Sequence, residues 1–227
     1  MSKKTKEIKC IHRHTINDHP KCFAKGLVKY KDDRQFEKET GLGWYNYPDY
    51  RIGYFDIESD GLFADFGTML TWCIKEKGGK ITYDIIEKED LFNGLADYNL
   101  TKSLINEIRK YKIICTYYGT GFDFPFLRAK ALHYGLDFPG YGDIYHFDLY
   151  YVARDKLRLT RKSLDNVCDY LKIEGKTQID KDAWRKAKYG DPVALQEVLS
   201  HNSGDVVILE ELHNKLESFR KWTRRSI

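Results

Sequence analysis

Arg51-Ile-Gly-Tyr-Phe-Asp-Ile-Glu-Ser-Asp-Gly61 is the stretch on which the reading of this chain turns. Ile52, Tyr54 and Ile57 alternate with small or polar residues and Gly61 closes the run, which predicts a short strand ending in a turn. Asp56 and Glu58 lie two residues apart, and residues i and i+2 of a strand point to the same face. Both acids therefore aim at one spot, while Phe55 and Ile57 between and beside them favour burial. At an effective dielectric of about 20, like charges 4 Å apart repel by about 4 kcal/mol. A cation between them is the simplest remedy.

Outward from this strand, the chain alternates strand and helix patterns. Residues 66–74 and 80–86 predict two further strands joined by a Gly78-Gly79 turn, and such a meander is antiparallel. Leu104, Ile105, Ile108 and Tyr111 recur at helical spacing within 100–111. Ile113-Ile-Cys-Thr-Tyr117 predicts a short buried strand, broken by Gly119 and Gly121. Helical spacing returns over 122–134, a last strand is expected over 143–149, and helices over 163–171, 181–188, 192–200 and 201–222. Antiparallel strands followed by parallel ones with crossover helices make an α/β fold, a mixed five-stranded sheet covered on both faces.

The 227 residues suffice for one such domain, 51–227, preceded by an extension over 1–50. The chain holds 38 Lys and Arg against 34 Asp and Glu; 11 and 7 of these lie in residues 1–50, leaving 27 of each in the body. A basic arm ahead of a neutral body suits a phosphate backbone, and it equally suits a solvated tail. With no run of about 18 apolar residues and no apolar core at the N-terminus, neither a membrane span nor a signal peptide is expected. A reducing cytoplasm follows as the expected location, with the five cysteines as thiols or metal ligands.

Cys10, His12, His14, His19 and Cys22 crowd into the arm, five of the chain's twelve Cys and His residues within a 13-residue window. Structural zinc sites favour ligand pairs two to four residues apart. Cys10 with His14 and His19 with Cys22 form two such pairs, leaving His12 spare or in the place of His14. The alternative is a solvated basic segment. From Phe23 to Tyr50 the composition is that of a polar linker with an aromatic end, where Trp44, Tyr45, Tyr47 and Tyr50 either stack on unpaired bases or pack the arm together. Cys73, Cys115 and Cys168 fall among apolar neighbours, as core thiols do.

Two more carboxylates stand out. Asp123 follows the glycine break in Tyr117-Tyr-Gly-Thr-Gly-Phe-Asp-Phe-Pro-Phe-Leu127, where Pro125 opens a helix, so Asp123 taken alone is a plain N-cap. Asp205 lies four residues after His201, on the same helical face.

Three blocks in order, Phe-Asp-Ile-Glu, Gly-Phe-Asp-Phe-Pro-Phe-Leu and His-Asn-Ser-Gly-Asp-Val, make residues 51–220 resemble the DEDD (DnaQ-like) 3′–5′ exonucleases of ribonuclease H-like fold. Within that superfamily the chain is most similar to the predicted ribonuclease H-like exonucleases of prokaryotes and their viruses. Lys162-Ser-Leu-Asp-Asn-Val167, followed by Tyr170-Leu-Lys-Ile-Glu-Gly-Lys-Thr177, fits that group. The resemblance implies that Asp56, Glu58, Asp123 and Asp205 hold two Mg²⁺ or Mn²⁺ ions. Asp56 would bridge them, Glu58 and Asp205 would serve the nucleophile-side ion, and Asp123 would support the other through water. The family places a histidine five residues before the last Asp or a tyrosine four before it. Here Ser200 and His201 hold those positions, so a histidine stands in the tyrosine register and is the expected general base.

Tyr118 and Phe122, with Tyr117, border Asp123 and either wall the terminal nucleotide or simply pack the core. Lys162, with Arg158 and Lys176, either contacts phosphate or is solvated, as surface charges usually are, and Asp148 is a candidate cleft residue whose alternative is packing. The expected activity is hydrolysis of single-stranded DNA or RNA from its 3′ end. A structure-selective endonuclease and a non-cleaving binding module are the alternatives, and four intact acids argue against the latter.

Overall fold

The computed structural model describes residues 9–10, 12–15, 21, 29–175, 177–219 and 226–227. The chain divides into two compact units, Met1–Tyr50 and Arg51–Ile227.

In the first unit the stretch expected as linker contains a helix, α1 (Asp33–Thr40). Asp32 caps it, its carboxylate accepting from the Gln35 N–H at 2.8 Å, and Gly41 ends it in the left-handed conformation (φ 71°). The charge run hid this helix, because only Phe36 of its eight residues is buried. Phe36 meets Tyr30 and Tyr47 edge to face at 5.1 and 5.9 Å, and Tyr47 meets Tyr50 at 5.1 Å. Trp44, buried, contacts Tyr45 and Tyr50. The arm's aromatics are thus engaged with one another.

The second unit is built on a five-stranded sheet in the order β3-β2-β1-β4-β5. Its strands are β1 (Ile52–Ser59), β2 (Met69–Glu76), β3 (Ile81–Ile85), β4 (Ile113–Thr116) and β5 (Tyr145–Asp148). The first three pair antiparallel, while β4 and β5 join β1 in parallel, as the meander and crossover patterns require. Between them run α2 (Lys88–Phe92), α3 (Tyr98–Ile108) and α4 (Asp123–His133). After β5 follow α5 (Leu149–Lys156), α6 (Leu164–Leu171), α7 (Lys181–Ala187) and α8 (Pro192–Leu216).

One face of β1 carries Phe55 and Ile57 into a core shared with Leu104 and Ile108 of α3 and with Phe124 and Leu127 of α4. The other face carries Tyr54, Asp56 and Glu58, and α8 crosses β1 and β2 there. Tyr54 Oη bonds His213 Nδ1 of α8 at 2.7 Å, a buried polar clamp between strand and helix. Among the described helices, none is long and apolar enough to cross a membrane.

Three expectations are corrected. The last strand is shorter than expected, because Asp148 ends it and caps α5, accepting from the Tyr150 N–H at 3.1 Å. Leu149, Val152 and Ala153 are the buried stripe of a helix that the strand reading concealed. The two helices expected over 192–222 are one continuous helix, α8. Gly204 in an interior costs about 1 kcal/mol relative to Ala, and burial of Leu199, Asn202, Asp205 and Val206 on either side of the expected break offsets that cost.

Candidate active site

Strand alternation and the burial of Phe55 and Ile57 leave Asp56 and Glu58 together on the α8 side of the sheet, half-buried. They sit opposite Cys73 and Thr71 of β2, and the register slips just beyond, between Glu58 and Ser59. A bulge there turns the strand end into the loop that carries Leu62 and Phe63.

From α8 come His201, Asn202 and Asp205. Asn202 is fully buried and its Nδ2 donates to Asp56 Oδ2 at 3.2 Å. His201 Nε2 stands 3.6 Å from Glu58 Oε1 and 4.0 Å from Asp205 Oδ2. Its other nitrogen, Nδ1, lies 2.9 Å from Thr177 Oγ1. With Nδ1–H donating to Thr177, the Nε2 lone pair faces the acids. The histidine in the tyrosine register therefore points at Glu58 and Asp205.

Asp123 arrives from the far side, as the first residue of α4. It is not the cap: Phe122 holds that position, and the Asp123 carboxylate accepts from the Ile57 N–H of β1 at 3.1 Å. Burial pushes its carboxyl up to about 7; the Ile57 hydrogen bond opposes the rise and the charge of Asp148 adds to it.

The turn that delivers Asp123 is held by Asp148. Its two oxygens accept from the Tyr118 N–H at 2.8 Å and the Thr120 N–H at 3.0 Å, besides capping α5. Asp148 is therefore buried structure beneath the cleft. Tyr118 takes the left-handed conformation (φ 69°), and Gly119 beside it has no room for a side chain against the buried Thr116. A Cβ on Gly119 would stand 2.4 Å from Thr116 Oγ1, and one on Gly121 would stand 2.4 Å from the Tyr118 ring.

Asp56, Glu58, Asp123, His201 and Asp205 all line one open cleft of about 550 Å³, together with Tyr117, Tyr118, Phe122, Leu62 and Phe63. Lys162 is not among its lining residues; its ammonium donates to the Leu159 carbonyl, and its own carbonyl accepts from Tyr117 Oη at 2.6 Å. Lys176 lies outside the described residues. A neighbouring hollow of about 460 Å³ shares Glu58, Leu62 and Phe122 and adds Trp184, Arg185 and Lys188. Asn202, Thr177 and this basic flank escaped sequence reasoning. Asn202 had one available signal, its place three residues before Asp205 on the same helix face.

The donor set suits a divalent cation. Glu58, His201 and Asp205 each offer a ligand atom, all within 4.8 Å of one another. Two carboxylate oxygens sharing an ion at about 2.2 Å stand at most about 4.4 Å apart. Glu58 and Asp205, whose oxygens lie within 4.8 Å of each other, therefore need to close by only a few tenths of an ångström, with His201 Nε2 standing beside them at 3.6 and 4.0 Å. In the first unit Cys10 and His14 are likewise close, and His12 joins them; His19 and Cys22 lie outside the described residues.

Against known proteins, the family model described as the RNase H superfamily matches residues 53–217. A DNA polymerase of Methanocaldococcus jannaschii is 32% identical over 115 residues, covering 40% of this chain and 7% of the polymerase. The structure of the family B DNA polymerase from the hyperthermophilic archaeon Pyrobaculum calidifontis superposes with a TM-score of 0.61 at 19% identity, over 74% of this chain and 24% of that one. The latter likeness is one of fold, and the chain spans only a small part of either polymerase. Sheet order, flanking helices and family match agree: the chain belongs to the RNase H superfamily and has a ribonuclease H-like nuclease fold.

Proposed function

We propose that the chain is a metal-dependent 3′–5′ exonuclease acting on single-stranded nucleic acid ends. The observation that carries this reading is the convergence of Asp56, Glu58, Asp123 and Asp205, from two strand positions and two helices, on one open cleft with His201.

Asp56, Glu58, Asp123 and Asp205 would hold two Mg²⁺ or Mn²⁺ ions. When bound, such a pair activates the attacking water and neutralises charge at the leaving 3′ oxygen. His201 Nε2, aimed at Glu58 and Asp205, takes the proton of the attacking water as its oxygen bonds to phosphorus. The P–O3′ bond breaks, a nucleoside 5′-monophosphate departs, and the leaving 3′ oxygen takes a proton from solvent water to become the 3′-hydroxyl of the shortened strand. Thr177 fixes the imidazole for this task. Asn202 holds one oxygen of Asp56, so the carboxylate is oriented before substrate arrives.

Tyr118 and Phe122 provide apolar wall for the terminal nucleotide. Arg185 and Lys188 line the adjoining hollow and would meet the backbone phosphates by exchanging their ion pairs with Asp182 and Asp60, both at 3.2 Å. The N-terminal arm, 1–50, with its excess of basic residues, adds sequence-independent attraction.

Linear and circular single strands of DNA and of RNA, incubated with Mn²⁺, test the reading and name the substrate. Mononucleotide release from a linear strand with the circle left intact is expected. Cutting of the circle would replace the exonuclease by a structure-selective endonuclease, and binding without cleavage by a docking module.

A further inference from the structure

The carboxylate cleft does not use the Cys/His turn of the N-terminal arm. There the chain folds back on itself between Cys10 and His14. The Cys10 N–H donates to the His14 carbonyl at 2.9 Å, and the Arg13 N–H to the Cys10 carbonyl at 2.7 Å. Arg13 takes the left-handed conformation (φ 67°) that closes the turn. The result brings Cys10 Sγ and one ring nitrogen each of His12 and His14 within 4.8 Å of one another. The two imidazoles are tilted by 39° at 6.1 Å between centroids, side by side rather than stacked. Cys10 is buried, while both histidines are exposed.

We propose that Cys10, His12 and His14 bind a Zn²⁺ ion, separate from the ions of the nuclease cleft. Zinc sits about 2.3 Å from sulfur and about 2.0–2.1 Å from nitrogen. Tetrahedral ligands at those lengths stand about 3.4–3.8 Å apart, so from within 4.8 Å of one another the donors need to close by at most about 1.4 Å. A thiolate with imidazoles selects zinc over magnesium or calcium, which take oxygen donors. The carboxylate cleft has the opposite preference, so the chain sorts two classes of metal by donor type. Further donors for a closed tetrahedral shell are present in the sequence at His19 and Cys22.

The site also answers a physical need. The described part of the arm buries few large side chains, chiefly Phe36 and Trp44, and a unit of about fifty residues with so small a core is one that a metal staples. Zinc binding to such a unit contributes directly to its folding.

The test uses the full chain purified without chelator. Metal analysis should find equimolar zinc. Replacement by Co²⁺ should give the intense visible bands of a tetrahedral ion and a near-ultraviolet sulfur-to-cobalt charge-transfer band. Cys10→Ser should weaken the charge-transfer band, and His12→Ala/His14→Ala should lose the zinc. Mn²⁺-dependent cleavage is read separately, so failure here and failure of the nuclease reading are distinguishable. Absence of zinc together with no tetrahedral cobalt spectrum on titration of the wild type would overturn the site. So would undiminished zinc in the substituted chains.

Discussion

Asp148→Ala should loosen the active-site cleft from beneath. The side chain is buried and accepts three backbone N–H groups, of Tyr118 at 2.8 Å, Thr120 at 3.0 Å and Tyr150 at 3.1 Å. Hydrogen bonds to a charged group are worth about 1.5–3 kcal/mol each, and losing a helix cap costs about 1 kcal/mol. Water can reach part of the Tyr118 loop, which lowers the sum, and removing the carboxylate also relieves the neighbouring Asp123. A net loss of about 3–5 kcal/mol follows. For a domain of this size that is a fall of about 6–20 °C in melting temperature. Asp148→Asn keeps one acceptor oxygen and should fall about half as far. Thermal unfolding followed by circular dichroism in EDTA reads the effect without any contribution from bound cations. Cleavage should fall too, because the same loop leads into Asp123. An Asp148→Ala protein melting within about 2 °C of the wild type would refute the assignment of Asp148 as the anchor of that loop.

Burial holds the Asp123 carboxyl at about 7, whereas an unfolded aspartate titrates near 3.9. In EDTA the folded chain therefore retains a proton that the unfolded chain releases, and stability falls as pH rises from about 4 to 7. Asp123→Asn should lack that fall; parallel melting curves for the two proteins would contradict it. Mn²⁺ at about 100 times its Kd should stabilise the wild type by about 2.7 kcal/mol, and Asp205→Asn should remove most of the shift in the same melting assay. Lys130→Met should cost about 3–5 kcal/mol in urea unfolding, because Lys130 Nζ pairs at 3.0 Å with Asp97, which is fully buried. Asp97→Asn on the Lys130→Met background should recover part of that loss. His201→Ala should lower kcat by about 10²–10⁴ and Thr177→Val by about tenfold, while Thr177→Val should add nothing to His201→Ala. Additive losses would mean that Thr177 does not act through the imidazole.

What could be read from the sequence was local. Asp56 and Glu58 share a face because strand geometry alone demands it, and His201 and Asp205 do because they are four apart on a helix. The meander and crossover patterns likewise carried the mixed character of the sheet, antiparallel strands first and parallel ones after. What escaped depended on distant partners. Thr177 matters because its hydroxyl meets a ring 24 residues away, and Asn202 because it meets a carboxylate on another element. Asp123 looked like a cap because the Ile57 N–H that it binds is 66 residues back. The helix α5 was hidden by a strand pattern that its own cap, Asp148, cuts short. The break expected between residues 200 and 201 is bridged by burial on both sides of it, which also offsets the cost of Gly204 in the helix interior.

The nuclease reading stands most directly on one gel. A 5′-labelled single strand is incubated with wild type or Asp56→Ala, in Mn²⁺ or in EDTA. A ladder shortening from the 3′ end is predicted with wild type in Mn²⁺, and none in EDTA or with Asp56→Ala, which removes the carboxylate that Asn202 holds in the cleft. An uncut strand with folded wild type in Mn²⁺, or an equal ladder from Asp56→Ala, would contradict it.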